Sequence, residues 1–563
     1  MRSALFALFF FVLQGPPAQP PGSIEGYVLK TGTSTPVSRA RVDVRRDGGG
    51  SAGALVTTTD ASGKFTIRNV PPGRYRVSAS RDGYVPSQFG ERSRGGPGAV
   101  ITLEFRQELK DIVLALTPKG AISGRIYDRF GDPVVNANVQ AMKHTYQDGR
   151  RILVPVDNAR TNDLGEYRLF WLTPGQYIIS AVPLESPCVD GCGVIVQGGV
   201  SGPPQIIGGA VRLDARVAVP APDIPETYLP VYFPGTTDAS TASLVDLPGG
   251  VNLTGVDLKI AETRAVRVRG RVINGLTGQP ALGATIALVP RRGTVATGSS
   301  QRASVANTGA FEFRHMAPGS YDLVASAPAA GGRLAAHTPI DIGGADIDNV
   351  SLTLQIQLTM SGRITVENMQ AGVTAPMNGI RVELRREPFT PELLVLLPTV
   401  SADGTFSLSG VTPGDYQIKV GLAGFRGYIK SARYGAVDAL NPPFHIDVAG
   451  QLEIVISPDA GSLDGIVLDD MQKPFPDATV VLVPDPPRRQ RFDLFYAAGS
   501  DASGRLHLDS VAPGDYRMFA WDDVPADAWQ DPDFLRQYED RGKPVRISEG
   551  TKQILELRLI PRR

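Results

Sequence analysis

One short pattern returns five times along the chain. Pro-Gly-x-Tyr occurs at Pro72-Gly73-Arg74-Tyr75, Pro174-Gly175-Gln176-Tyr177, Pro318-Gly319-Ser320-Tyr321, Pro413-Gly414-Asp415-Tyr416 and Pro513-Gly514-Asp515-Tyr516. A second signal, Gly-x-[Val/Ile], precedes each copy, at Gly26, Gly124, Gly270, Gly362 and Gly465. The two glycines stand 47, 51, 49, 52 and 49 residues apart. Between them lies Pro-x-x-x-[Ala/Ile]-x-[Val/Ile], as in Pro36/Ala40/Val42 and Pro474/Ala478/Val480. A fixed period of this kind means that one structural unit has been used repeatedly.

Each signal has a local physical meaning. In 57–67 two strands flank Asp60-Ala61-Ser62-Gly63, where Asp caps the following amides and Gly takes positive φ. Ser401-Ala402-Asp403-Gly404 and Asp501-Ala502-Ser503-Gly504 repeat this, and Asn162 stands for the Asp in the second unit. The third unit keeps only Asn307 and Gly309, so a different turn is expected there. The strand that follows alternates, as Phe65/Ile67, Tyr167/Leu169 and Phe406/Leu408, which buries one face. Pro-Gly fits the centre of a type II turn, and its Tyr is expected inside. Nearly a fifth of the 563 residues are Gly (62) or Pro (46), which suits many short strands and turns. Helical periodicity is nearly absent. The exception is 531–538, where Asp531 can cap and Pro532 can open a helix.

The fold class expected is therefore all-β, a tandem array of about five antiparallel β-sandwich modules. The expected divisions are 20–118, 119–262, 263–356, 357–458 and 459–563, the second carrying an insertion near 183–226. Linkers are very short, so neighbouring modules are expected to touch in a semi-rigid string.

The amino terminus has the form of an export signal, expected over 1–19. Arg2 precedes a ten-residue apolar run, too short to span a bilayer, and Gly15-Pro16-Pro17 follows. No later apolar run reaches 18 residues, so no transmembrane segment is expected after signal removal. The expected location is secreted, periplasmic or on the outer cell surface. The chain has 57 basic and 57 acidic side chains, with no field to hold nucleic acid. Charge is nonetheless uneven: 14 basic and 9 acidic residues in 20–118, against 14 and 19 in 459–563. Two cysteines, Cys188 and Cys192, form a disulfide candidate in an exported chain.

The string DASGKFTIRNVPPGRYRVSAS resembles the carboxypeptidase regulatory-like domain. That resemblance implies a prealbumin-like (transthyretin-like) sandwich related to Cna B-type modules. It implies nothing catalytic, because the shared residues are turn and core residues. The zinc carboxypeptidases carry His-x-x-Glu, whereas none of His144, His315, His337, His445 and His507 has Glu three later. Gly49-Gly50-Ser51-Ala52-Gly53 matches G-x-S-x-G, but no helix follows to make a nucleophile elbow. Cna-type relatives often form an isopeptide bond aided by an acid four residues after the motif Tyr. Here those positions are Ala79, Ala181, Ala325, Val420 and Ala520, so stability is expected to come from packing.

No catalytic, cofactor-binding or metal-ligating residues are expected. Asp522, Asp523, Asp527, Asp531 and Asp533 form an acidic cluster that invites calcium, without EF-hand spacing. Trp521, Trp529, Tyr228 and Tyr232 are candidates for a ligand-binding surface, since aromatics can stack on sugar rings, with burial in a core as the competing reading of the same residues. The leading functional expectation is an exported, non-catalytic scaffold or binding protein, with polysaccharide or cell-envelope proteins as partners. The alternatives are a carbohydrate-binding protein, an enzyme with an unrecognised carboxylate site, and an accessory to an outer-membrane transporter.

Overall fold

The computed structural model describes residues 21–47, 53–91, 98–147, 149–183, 226–291, 301–330, 332–368, 377–387, 397–422, 425–441 and 443–561. The export segment, Cys188 and Cys192, residues 49–52 and most of the 183–226 insertion lie outside them. The protein is all-β, and its one α-helix among the described residues is five residues long, Pro532–Arg536. Asp531 caps that helix, accepting from the Asp533 and Phe534 amides, and proline occupies its first turn.

Five large cores follow one another along the chain, centred on Ile24 to Leu116, Ile122 to Ile260, Val266 to Leu354, Met360 to Ile456 and Leu463 to Leu557. Within each unit, here called modules 1 to 5, two layers of strands enclose the core. In module 1, strand Gly22–Lys30 lies between Lys64–Val70 and Glu108–Pro118. The opposite layer holds Arg41–Arg46, Leu55–Thr58 and Gly73–Ser80. Module 3 differs: strand Gly332–Ile342 joins the two layers into one seven-stranded sheet.

Pairing is antiparallel with one recurrent departure. The opening strand of each module runs parallel to its closing segment, as Gly26 with Ile112 and Gly465 with Leu555. Two strands that begin and end a module can run together because the other layer supplies the crossover. This close neighbour explains the opening glycine in modules 1 to 3. A Cβ on Gly26, Gly124 or Gly270 would overlap the carbonyl oxygen of Ile112, Val256 or Val350.

The Asp-x-x-Gly turns form as expected. Asp60 accepts from the amides of Ser62 and Lys64, each at 2.9 Å, and Asp501 from those of Ser503 and Arg505. Asn162 does the same for Leu164 and Glu166. In module 3 the backbone turn persists without the side-chain cap, the Gly309 amide donating to Ala306 at 2.8 Å. Gly309, at φ 77°, is sufficient for it.

The Pro-Gly motif is a different device from a type II turn. Gly73, Gly175, Gly414 and Gly514 have φ of 159°, 147°, 150° and 149°, and each begins a strand. A type II turn asks for about +80° at that place. The Tyr two residues later is buried in modules 1, 2, 4 and 5. In all five modules its hydroxyl donates to the carbonyl four residues earlier: Pro71, Thr173, Ala317, Thr412 and Ala512.

Two further recurrent features escaped the sequence reading. The residue four before the motif Gly is left-handed in every module: Asn69, Trp171, His315, Gly410 and Ser510, with φ between 57° and 88°. It sits at the register shift between the return strand and the opening strand. A buried hydroxyl also clamps the loop before the second strand. Thr59 accepts from the Ala40 amide (2.8 Å) and donates to Val37 (2.6 Å). Thr161 and Ser500 repeat this, whereas Val305 and Val400 take the place in modules 3 and 4.

Candidate functional site

The aromatic candidates of module 5 are not on the surface. Trp521 is 2% and Trp529 8% exposed. Strands Thr479–Pro484 and Gly514–Trp521 are buried on both faces. Tyr516, Met518 and Ala520 face the main core, and Phe519 and Trp521 point the other way into a second one. Segment 522–542 covers that second core with Trp529, Phe534, Leu535 and Tyr538. Trp521 stacks on Phe519 (5.1 Å, 10°) and meets Tyr538 edge-on (5.7 Å, 87°). These tryptophans therefore anchor a cap on the sheet.

Tyr232 is also buried, against Met142 and Ile178, and burial pushes its phenol well above the ordinary range. Tyr228 lies on strand Glu226–Leu229, half-buried against the core of module 2. None of the four candidates offers an open aromatic face. Trp171, which the sequence reading passed over, does. It is 57% exposed and packs edge-on against the equally exposed Phe170. The signal that could have found it is its register with Asn69 and Gly410, residues that favour left-handed backbone.

The acidic cluster does not converge on a cation. Asp531 is spent on its helix cap, Asp533 pairs with Arg536, and Asp527 precedes the short helix Ala528–Gln530. Among the described residues no group of three or more His, Cys, Asp and Glu is placed to hold a metal. Three histidines instead pair with Asp on a neighbouring strand: His337 with Asp322 (3.1 Å), His445 with Asp415 (2.8 Å) and His507 with Asp464 (2.6 Å). Hydrogen bonds from Lys552 and His507 hold the Asp464 carboxyl below its ordinary range. The Cna-type acid positions point inward without an acid: Ala79, Ala181, Ala325 and Ala520 are at most 1% exposed.

A cleft of about 530 Å³ lies between modules 4 and 5, lined in part by Phe425, Arg426, Tyr428, Asp493, Tyr496 and Asp509. Its polar groups are bonded to the protein itself. Tyr428 donates to Glu549 (2.7 Å), Arg491 holds Asp493, and Tyr496 accepts from the Ala512 amide.

The surface with the most built structure lies between modules 2 and 5. Strands Ala137–Gln147 and Arg150–Arg160 form a hairpin of eleven residues a side, far longer than its counterparts. Its end rests on the module 5 cap. Tyr146 meets Phe534 edge-on at 5.9 Å. A Cβ on Gly149 would lie 2.9 Å from the Gln530 carbonyl and 3.3 Å from the Phe492 ring. Phe492 in turn carries Lys419 of module 4 over its face. Burial pushes the Tyr146 phenol up, with Arg151 opposing and Asp531 and Tyr538 assisting. The modules thus do more than touch their neighbours in a string.

Residues 23–106 and 267–355 match the carboxypeptidase regulatory-like domain. No curated protein is similar to this chain in sequence. Among solved structures it is similar to the Bacillus anthracis TIE protein, at 11% identity and TM-score 0.15, covering 79% of this chain and 75% of that one. It is also similar to a streptococcal ancillary pilin, at 9% and 0.17, covering 47% and 91%. It is similar as well to two B repeat units of the collagen binding protein of Staphylococcus aureus, at 11% identity and TM-score 0.14, covering 72% and 94%.

Proposed function

We propose that this chain, which carries two carboxypeptidase regulatory-like domains, is an exported, non-catalytic binding or structural protein of the cell envelope or cell surface. One observation carries the reading. Every recurrent motif serves turns, strand starts or cores, and the motif Tyr spends its hydroxyl on its own backbone in all five modules. An array of sandwiches built this way supplies rigid spacing and leaves recognition to loops and exposed faces. The export signal read at 1–19 supports the location.

The test is an activity survey of purified, metal-replete protein on peptides, esters and polysaccharides. No turnover is expected. Turnover that persists through purification and disappears in a folded Asp464→Asn or Asp493→Asn variant overturns the reading.

Carbohydrate binding is the second reading, favoured by the exposed Phe170–Trp171 pair. An open aromatic face can stack on a sugar ring. A polysaccharide pull-down with native protein and Trp171→Ala decides it, with retention lost in the variant as the supporting result.

A further inference from the structure

We propose that the Phe170–Trp171 pair, with Arg168, Lys119 and Arg81, is a site for an anionic polysaccharide, built across the junction of modules 1 and 2. The inference rests on the second reading of function above and adds to it the charge of the sugar and the second module.

The strand bulge sets up the pair. Each module holds one left-handed residue at this point, and Asn69, His315 and Gly410 are residue types that suit it. A tryptophan there, at φ 57°, is a strained choice that the bulge itself does not require. Strand Glu166–Leu172 presents both Phe170 and Trp171 to solvent, each 57% exposed, in edge-on contact at 5.7 Å and 72°. Neither ring belongs to the core of module 2. Backbone strain kept at an exposed residue is characteristic of ligand sites.

Module 1 supplies the other side. The indole nitrogen of Trp171 lies 3.8 Å from where a Cβ on Gly83 would stand. The Gly83 carbonyl accepts from the Lys119 amide at 2.8 Å, which ties that loop to the linker between the modules. Arg81, on the same loop, lies over the Tyr84 ring at 5.7 Å.

Charge names the ligand. Arg168 stands two residues before Phe170 on the same face of the strand, about 7 Å away. Arg168 is exposed and Lys119 half-buried, and neither has an acidic partner among the described residues. Asp82 is the exposed acid beside them, and Glu166 is spent on Arg125. Three cations against one such acid, next to two open rings, suit a sugar polymer that carries carboxylate or sulfate groups. The rings stack on the apolar face of the sugar, and the cations pair with its acid groups. A sugar is favoured over a nucleic acid because the chain, with 57 basic and 57 acidic side chains, has no field to track a phosphate backbone.

The experiment titrates full-length protein with polygalacturonate and dextran sulfate, each beside its uncharged counterpart, fully methyl-esterified pectin and dextran. Native protein is expected to bind a charged polymer on the order of tenfold more tightly than its counterpart at low salt. Trp171→Asn, which places in module 2 the residue type that module 1 carries, is expected to lose on the order of tenfold in affinity. Arg168→Gln is expected to weaken the charged polymer and leave the uncharged one unchanged. Bound polymer is expected to protect native tryptophan fluorescence from acrylamide, and to give no protection in Trp171→Asn. Circular dichroism establishes that each variant is folded, and if Trp171→Asn is not, Arg168→Gln and the quenching of native protein decide. Tight binding that survives in folded Trp171→Asn overturns the site. Equal binding of charged and uncharged polymers, lost in Trp171→Asn, overturns the anionic assignment and leaves carbohydrate binding standing. Binding of none of the four overturns both. Oligo(dT) or polyglutamate bound as tightly as the charged polysaccharides overturns the choice of a sugar.

Discussion

The phenol of Tyr516 donates to the carbonyl of Ala512, 2.8 Å away and four residues earlier in the chain. Both residues are buried, at 1% and 4% exposure. The bond ties the strand that begins at Gly514 to the segment that leads into it, and the same bond recurs in the other four modules. Replacing Tyr516 by Phe keeps the ring and removes the donor. Module 5 is expected to lose about 0.5–1.5 kcal/mol, read as a lower midpoint in chemical denaturation followed by tryptophan fluorescence.

The same phenol gives a pH dependence. Burial pushes Tyr516 up to about 12, against an unfolded value near 10. A group raised on folding contributes stability that is complete below its unfolded pKa and is lost as pH rises through the folded one. Module 5 is therefore expected to weaken between about pH 10 and pH 12. In Tyr516→Phe this part of the alkaline loss disappears, which a denaturation series across that range measures.

Gly414 takes φ 150°, and a Cβ there would lie 2.6 Å from the Arg386 guanidinium. Gly414→Val is expected to cost about 1–3 kcal/mol in module 4. Adding Arg386→Ala separates the two causes. It relieves the clash and leaves the backbone strain, so a partial recovery of the melting temperature is the expected result.

Thr161 accepts from the Ala137 amide at 2.8 Å and donates to Val134 at 2.6 Å. Thr161→Val has nearly the same shape and strands a buried amide. A loss of about 1–3 kcal/mol is expected in denaturant melts, although Val occupies the corresponding place in modules 3 and 4.

Trp521 and Trp529 are buried, and Trp171 is 57% exposed. Iodide is expected to quench one component of the native tryptophan fluorescence. Trp171→Phe should remove that component, and Trp529→Phe should leave it. Quenching that survives Trp171→Phe in folded protein contradicts the burial of the other two.

Much of the fold was legible because it is written in local preferences. Alternation of Phe65/Ile67 or Tyr167/Leu169 declares a strand with one buried face, and Asp60 with Gly63 declares the turn before it. The burial of the motif Tyr and the capped helix at Asp531 follow from equally short stretches. The Pro-Gly reading failed in detail because sequence reports that Gly frees φ, while neighbouring strands decide which value it takes.

The surfaces were not legible, because exposure depends on what comes to lie above a residue. From sequence Trp521 and Trp529 read as core residues or as open aromatics, and segment 522–542, folded over the outer face of its own sheet, decides for the core. Trp171 reads as an ordinary strand residue until the register shift turns it outward. Gly26, Gly124 and Gly270 are required by the parallel closing segments, Gly362 by the Phe406 ring on the return strand, and Gly149 by a carbonyl in module 5. The amino-acid order alone determined the strands, the turns and the repeat, since those depend on residues within a few positions of one another. Only the tertiary structure decided which faces meet, since Tyr146 and Phe534 are brought together by the packing of whole modules.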